Sequence, residues 1–181
     1  FERQHAKEQD QSYRDLTDGE AGVTPETQTR LHVGTRRDQA VLLVHGFAAS
    51  PWEFATVASE LQERGYTTLS PLIEGFGSTP AVANKIAARG GYQIWSTNVR
   101  AHFEVLAANY PKVAVVGVSM GSALSLELLQ APSAVKIASI SLLSPLLKYP
   151  NAFINFIAGL GGIFRDTVPL AELYRFSQAR D

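Results

Sequence analysis

Residues 112–130, KVAVVGVSMGSALSLELLQ, decide the fold of this chain. They open with a β-branched apolar run at 113–116, which predicts a buried strand. The chain then turns through Gly117-Val118-Ser119-Met120-Gly121 and enters a stretch rich in Ala and Leu, which predicts a helix. A turn this tight leaves no room for a Cβ at its glycines, and a glycine also lets the helix approach the neighbouring strand. We therefore expect a strand, a sharp turn that exposes a serine hydroxyl, and a helix.

A serine at such a strand–turn–helix junction forms a nucleophile elbow, which holds the hydroxyl above the end of a parallel sheet. The five-residue pattern alone is common enough to occur by chance, but the flanking strand and helix favour a functional Ser119. The alternative is a buried turn whose serine only caps the helix.

No metal or organic cofactor is expected, because the histidines are scattered without the spacing of a zinc site.

Four other segments have the pattern of strands. Residues 40–44, AVLLV, form a continuous apolar run, which is typical of a strand buried on both faces. Residues 66–71 and 136–143 are interpreted as further buried strands, and residues 29–34 as a short strand. Helical segments lie between them, so the order predicts an α/β protein with a mostly parallel sheet and helices on both faces.

The helix after residues 40–44 has clear start and stop signals. Ser50 is expected to be its N-cap, Pro51 its first residue and Glu53 the partner of Ser50 in a capping box, with Gly65 at the C-terminal end. Its inner face is expected to carry Trp52, Val57, Ala58 and Leu61.

Residues 92–109 predict a second helix, whose apolar stripe consists of Trp95, Val99, Phe103 and Leu106. His102 lies beside this stripe and is interpreted as a packed or surface histidine rather than a catalytic one.

Composition excludes several classes of protein. The 181 residues are 45% apolar, enough for one domain with a substantial core. A net charge of -1 gives no indication of a nucleic-acid partner, and the lack of cysteine excludes disulfides and thiolate metal sites. No apolar run reaches 18 residues, so no membrane span is expected in this chain.

Three regions are predicted: a polar arm at 1–28, the α/β core at 29–148, and the start of an apolar cap or lid at 149–181. The uncharged residues of the last region would cover a pocket for an acyl group larger than acetyl, through Phe153, Phe156 and Ile157. An ordinary core helix and a peripheral membrane contact stay open as alternatives. Because the first residue is Phe1, upstream processing is expected. The compartment is left open: cytoplasmic, or periplasmic or membrane-associated if a signal or anchor was removed.

The order and separation of four motifs, from about residue 38 to 148, resemble the α/β-hydrolase superfamily, in particular its carboxylesterase and monoacylglycerol-lipase-like members. The motifs are His45-Gly46-Phe47, Gly75-Phe76-Gly77, Trp95 and the elbow at 117–121. The resemblance implies an α/β-hydrolase fold in which the amides of Phe47 and Met120 form the oxyanion hole. It also implies a structural His45 and a place for Phe76 in substrate binding.

One feature departs from that superfamily, whose triad follows the chain order serine, acid, histidine. All four histidines precede Ser119, and neither Asp166 nor Glu172 follows a further strand. We therefore expect the acid and the histidine beyond residue 181, in a C-terminal segment or a second chain. The sheet is expected to stop before its last strands, and the chain alone to be inactive.

The sequence thus favours a serine hydrolase that cleaves small-molecule acyl esters through an acyl-enzyme on Ser119, of carboxylesterase or monoacylglycerol-lipase type. One alternative is a non-catalytic binding module that lacks a base. The other is an acyltransferase or thioesterase that uses the same serine.

Overall fold

The computed structural model describes residues 23, 27–77, 86 and 88–145. Within them lie five strands and three α-helices. The strands are β1 Arg30–His32, β2 Ala40–Val44, β3 Thr67–Ser70, β4 Val113–Val118 and β5 Ile137–Leu143. The helices are α1 Ala55–Glu63, α2 Gly91–Asn109 and α3 Met120–Glu127, and short 3-10 turns precede α1 and follow α3.

The five strands form one sheet in the order β1-β3-β2-β4-β5. β1 pairs with β3 in the antiparallel direction, and the other three pairs are parallel. β2 lies at the centre, and all five of its residues are buried. The prediction of an α/β protein with a mostly parallel sheet is confirmed.

Helices cover both faces of this sheet and produce two separate cores. On one face, Leu42 and Val44 of β2 pack in a large cluster with Val99 and Phe103 of α2 and Leu124 of α3. On the other face, Val41 and Leu43 of β2 pack with Phe54, Ala58 and Leu61 from the start and body of α1. Successive side chains of β2 point to opposite faces of the sheet and therefore pack in both cores, which is why the sequence of β2 is continuously apolar.

The start of α1 differs from the prediction. Ser50 does act as a cap and accepts a hydrogen bond from the Trp52 amide at 3.4 Å. The Glu53 carboxylate, however, accepts from the Gly46 amide at 2.8 Å, so the predicted capping box is wrong. Residues Pro51–Phe54 form a 3-10 turn before the α-helix begins.

The predicted inner face of α1 is half wrong. Ala58 and Leu61 pack against the core, but Trp52 is 60% exposed and Val57 is 44% exposed. The 3-10 turn has three residues per turn rather than 3.6, which rotates its side chains relative to those of the following helix. Trp52 consequently lies on the surface, with the Arg30 guanidinium 5.1 Å from its ring centroid.

β5 is the other departure, because it was expected to be a buried strand. All seven of its residues are half-buried or exposed, and Leu143 is 51% exposed. Among the described strands β5 pairs only with β4, so it forms an edge of the sheet. In the ranges that the structure describes, no helix has the length and apolar character needed to cross a membrane.

Candidate active site

The predicted site residues lie where the parallel strands of the sheet end. The carboxyl ends of parallel strands lie on the same side of a sheet, and ligands of open α/β sheets bind there. β2 leads into His45-Gly46-Phe47, β3 leads into the loop that reaches Phe76, and β4 ends directly before Ser119. The fold thus brings these three predicted motifs to one place, and the fourth, Trp95, packs against two of them.

Ser119 occupies a strained backbone conformation between β4 and α3, with φ 52° and ψ -115°. Such values are rare for a residue with a Cβ and cost on the order of 1–3 kcal/mol. Its amide donates to the Leu143 carbonyl at 2.9 Å, which ties the turn to the end of β5. Its side chain makes no capping hydrogen bond to α3, so the geometry gives no support to the helix-cap alternative.

The tightness of this turn depends on its glycines. A Cβ on Gly121 would lie 2.1 Å from the Val44 carbonyl oxygen, and one on Gly117 would lie 2.5 Å from the Gly121 oxygen. Both contacts are with backbone, which cannot move aside easily. The missing Cβ therefore lets α3 begin directly beside the end of β2.

The side chain of Ser122 braces the turn, and no sequence pattern indicated this role. The hydroxyl of Ser122, in the first turn of α3, donates to the Gly117 carbonyl at 2.7 Å and lies 3.2 Å from the Leu143 carbonyl oxygen. These contacts join the residues before and after the elbow to the last residue of β5.

His45 is fully buried and both of its ring nitrogens have partners. The Ile73 amide donates to Nε2 at 3.0 Å, so the proton is on Nδ1, which donates to the Gly46 carbonyl at 2.8 Å. Burial lowers the pKa of His45 to about 4, against the opposing effect of the hydrogen bond to Gly46. At neutral pH this histidine is uncharged and links the loops after β2 and β3.

The loop after β2 lies beside the serine. A Cβ built on Gly46 would be 3.5 Å from the Cβ of Ser119. The amide of Phe47 follows in this loop, and the amide of Met120 is the first of α3. Among the described residues neither amide donates a hydrogen bond in a turn or loop, and Met120, as the first residue of α3, has no earlier carbonyl of that helix to donate to.

Three aromatic rings pack together next to this loop. The Phe76 ring lies 5.4 Å from that of Phe47 and 5.3 Å from that of Trp95, and the Phe47 and Trp95 rings are 6.2 Å apart. Trp95 Nε1 also donates to the Glu74 carbonyl at 3.0 Å. Phe76 is only 7% exposed and belongs to the larger core cluster. The other predicted substrate contacts, Phe153, Phe156 and Ile157, lie outside the described residues.

The remaining histidines of the described chain do not contact Ser119. His102 is buried in α2, where Nδ1 donates to the Asn98 carbonyl at 2.8 Å and burial lowers its pKa. His32 lies on β1, at the opposite edge of the sheet from β5. His5, Asp166 and Glu172 lie outside the described residues. Within the described ranges no group of three metal-ligating side chains comes together.

A mostly parallel sheet in which β4 leads through a strained serine turn into α3, with the His45-Gly46-Phe47 loop of the neighbouring β2 beside that serine, is typical of the class of α/β hydrolases. The family model for the alpha/beta hydrolase fold matches residues 39–179. The chain belongs to this family.

Individual relatives agree with this assignment. The chain is similar to a carboxylesterase of Bacillus subtilis (strain 168), with 36% identity over 92 residues, which is 50% of this chain and 36% of the relative. Among solved structures, it resembles one described with LipS and LipT, two metagenome-derived lipolytic enzymes. The TM-score is 0.65 and the identity is 26%, over 75% of this chain and 53% of that one.

An esterase from Exiguobacterium antarcticum shares the fold at TM-score 0.52 and 20% identity, over 66% of this chain and 42% of that chain. The chain therefore spans about half or less of the length of these relatives.

Proposed function

We propose that this protein is a serine hydrolase that cleaves carboxylic esters through an acyl-enzyme on Ser119. The observation that supports it best is the strained backbone of Ser119, held beside Gly46 at the carboxyl edge of the sheet. Strain of this kind persists only where surrounding structure enforces it, and it is common at catalytic residues. The similarity to a carboxylesterase supports the ester as the substrate class.

The proposed reaction has two halves. Ser119 Oγ attacks the ester carbonyl carbon while a base takes its proton, and the carbonyl oxygen becomes an oxyanion. The amides of Phe47 and Met120 stabilise this oxyanion. Collapse of the intermediate expels the alcohol, which receives the proton from the base, and leaves the acyl group on Ser119. Water then attacks the acyl-enzyme with the help of the same base and releases the carboxylic acid.

The base and its acidic partner are proposed to lie outside the 181 residues. His45 and His102 are buried and hydrogen-bonded to backbone groups, so neither is placed to take a proton from Ser119. The relatives extend well beyond the length that this chain spans, which leaves room for both residues. A carboxylesterase or monoacylglycerol-lipase type is the finer form of the proposal.

A non-catalytic binding module is the second candidate function. The observation in its favour is that no described histidine contacts Ser119, which would leave the hydroxyl without a base. Thioester hydrolysis and acyl transfer use the same serine and oxyanion hole, and the acceptor of the acyl group distinguishes them from ester hydrolysis.

The test is covalent labelling of the full-length protein with a fluorophosphonate probe, followed by peptide mass mapping. We expect one adduct on Ser119, no adduct in a Ser119→Ala variant, and normal labelling in the control Ser59→Ala, which alters an exposed serine of α1. Hydrolysis rates for esters from acetyl to octanoyl, measured on the same proteins, would test the expected preference for a larger acyl group. A folded wild-type protein that remains unlabelled would support the binding module instead.

A further inference from the structure

The orientation of the Phe47 amide is determined by the peptide that joins Gly46 to Phe47. In a trans peptide the C=O and N–H groups point in opposite directions, and the described chain has no cis peptide. The Gly46 carbonyl accepts hydrogen bonds from His45 Nδ1 at 2.8 Å and from the Ala49 amide at 3.3 Å. These bonds hold one side of the peptide plane and so direct the Phe47 N–H to the other side.

The preceding peptide is held by a side chain from outside the loop. The Gly46 amide donates to Glu53 Oε2 at 2.8 Å, and Glu53 lies seven residues further along, in the 3-10 turn before α1. Gly46 is buried, whereas Glu53 is exposed. A carboxylate on an exposed residue thus supplies the acceptor for a buried amide.

This contact is not a helix cap. Ser50 accepts hydrogen bonds from two amides at the start of the 3-10 turn. Its hydroxyl accepts from the Trp52 amide, and its carbonyl accepts from the Glu53 amide at 3.0 Å. The Glu53 side chain points back to the loop after β2 instead. It links the rigid start of α1 to the residue directly before the proposed oxyanion donor.

We propose that Glu53 is a positioning residue, whose carboxylate fixes the peptide before Gly46 and thereby the direction of the Phe47 amide towards the oxyanion. The proposal rests on the proposed function, since it concerns the oxyanion hole of the same reaction. It also explains why Phe47, rather than Gly46, is the donor: the Gly46 N–H is already used by the carboxylate. Glu53 itself touches neither substrate nor Ser119 Oγ in this mechanism.

The experiment compares Glu53→Ala, Glu53→Gln and the control Glu60→Ala in the full-length protein. Glu60 is an exposed glutamate on α1 whose carboxylate pairs with Arg64 at 2.8 Å. Loss of an oxyanion donor costs about 100- to 1000-fold in rate. Because His45 still holds the Gly46 carbonyl, we expect a smaller loss for E53A, about tenfold in kcat with little change in KM.

Affinity for a trifluoromethyl ketone, which forms an oxyanion on the serine, should fall by about the same factor in E53A. The E53Q variant keeps an oxygen acceptor and should stay within about threefold of wild type, as should E60A. Exchange of the Gly46 amide hydrogen should be faster in E53A but not in E53Q.

The outcomes separate the two proposals. If wild type reacts with the fluorophosphonate and E53A keeps its kcat and its ketone affinity, the role of Glu53 is overturned and the serine hydrolase stands. Equal losses in E53A and E53Q would also overturn it, since the hydrogen bond would then not be the cause. If wild type remains unlabelled, the proposed function is overturned and the positioning role with it.

Discussion

His45 is neutral because the fold surrounds it, although nothing in the pattern His-Gly-Phe sets its charge. Its ring lies with an edge towards the Phe76 ring, 5.8 Å between centroids, and two backbone groups use both nitrogens. Protonation would convert Nε2 from an acceptor into a donor facing the Ile73 N–H. The link between the loops after β2 and β3 therefore exists only while this histidine is uncharged.

A dependence of stability on pH follows. The pKa of His45 is about 4 in the folded protein, against 6.5 for an ordinary histidine, so the unfolded chain binds more protons between these values. The free energy of unfolding should fall as pH decreases from 6.5 towards 4, by about 3 kcal/mol from this residue. Above about pH 7.5 the residue is almost wholly neutral in both states and contributes no slope.

Urea unfolding at pH 7 and pH 4.5, on wild type and His45→Gln, measures this effect. The variant has no titrating ring, so its stability should change less between the two pH values. The buried His102, whose pKa is also lowered, contributes equally in both proteins and cancels. An identical pH slope in the two proteins would contradict the assignment to His45.

Among the elements, the approach of α3 to β2 places the serine turn. Gly121 permits this approach, because any Cβ there would overlap the Val44 and His45 carbonyl oxygens, at 2.1 and 2.5 Å. Gly46 faces the same junction from the other side, but its nearest neighbours would be 3.5 Å away, an ordinary contact distance.

The two glycines should respond differently to the same substitution. Gly121→Ala should lower the free energy of unfolding by more than about 3 kcal/mol, since α3 has to move away from β2. Gly46→Ala should cost less than about 1 kcal/mol. Chemical denaturation of both variants measures this difference, and equal costs would mean that α3 does not depend on close contact.

Elements were predictable where the signal was local. Three predictions agree with the structure: the strand at 40–44, the helix at 92–109 and the serine turn. Their signals are apolar runs and paired glycines, which act within a few residues. The capping box failed because two amide donors, those of Ser50 and Gly46, were alternatives for one carboxylate acceptor. Its partner, the amide of Gly46, becomes available only once β2 and the start of α1 are adjacent.

For the whole molecule, the sheet separates two cores of unequal size. Leu42 and Leu43 are neighbours in β2 and both are fully buried, yet they face opposite sides. Leu42 lies in the larger core, beneath α2 and α3. Leu43 lies in the smaller core, beneath α1.

Truncation of these two side chains should therefore have unequal costs. We expect Leu42→Ala to lower the free energy of unfolding by about 3–5 kcal/mol, because two helices prevent the cavity from collapsing. Leu43→Ala should cost about 2–3 kcal/mol, since a single described helix can adjust. Leu129→Ala, at a side chain that is 57% exposed, is the control and should cost about 0.5 kcal/mol or less. A larger loss of unfolding free energy for Leu43→Ala than for Leu42→Ala would contradict the expected order of the two costs.

The sequence by itself determined the fold class, the family and the position of Ser119 in the turn. These three conclusions depend on hydrophobic periodicity and on the missing Cβ of glycine. Both act over a few consecutive residues and can therefore be read from the sequence. Only the tertiary structure decided the surface position of Trp52, the neutral state of His45 and the partner of Glu53. Each of these depends on which segments the fold brings within a few ångströms, and hydrogen bonding and burial are fixed by that distance in space.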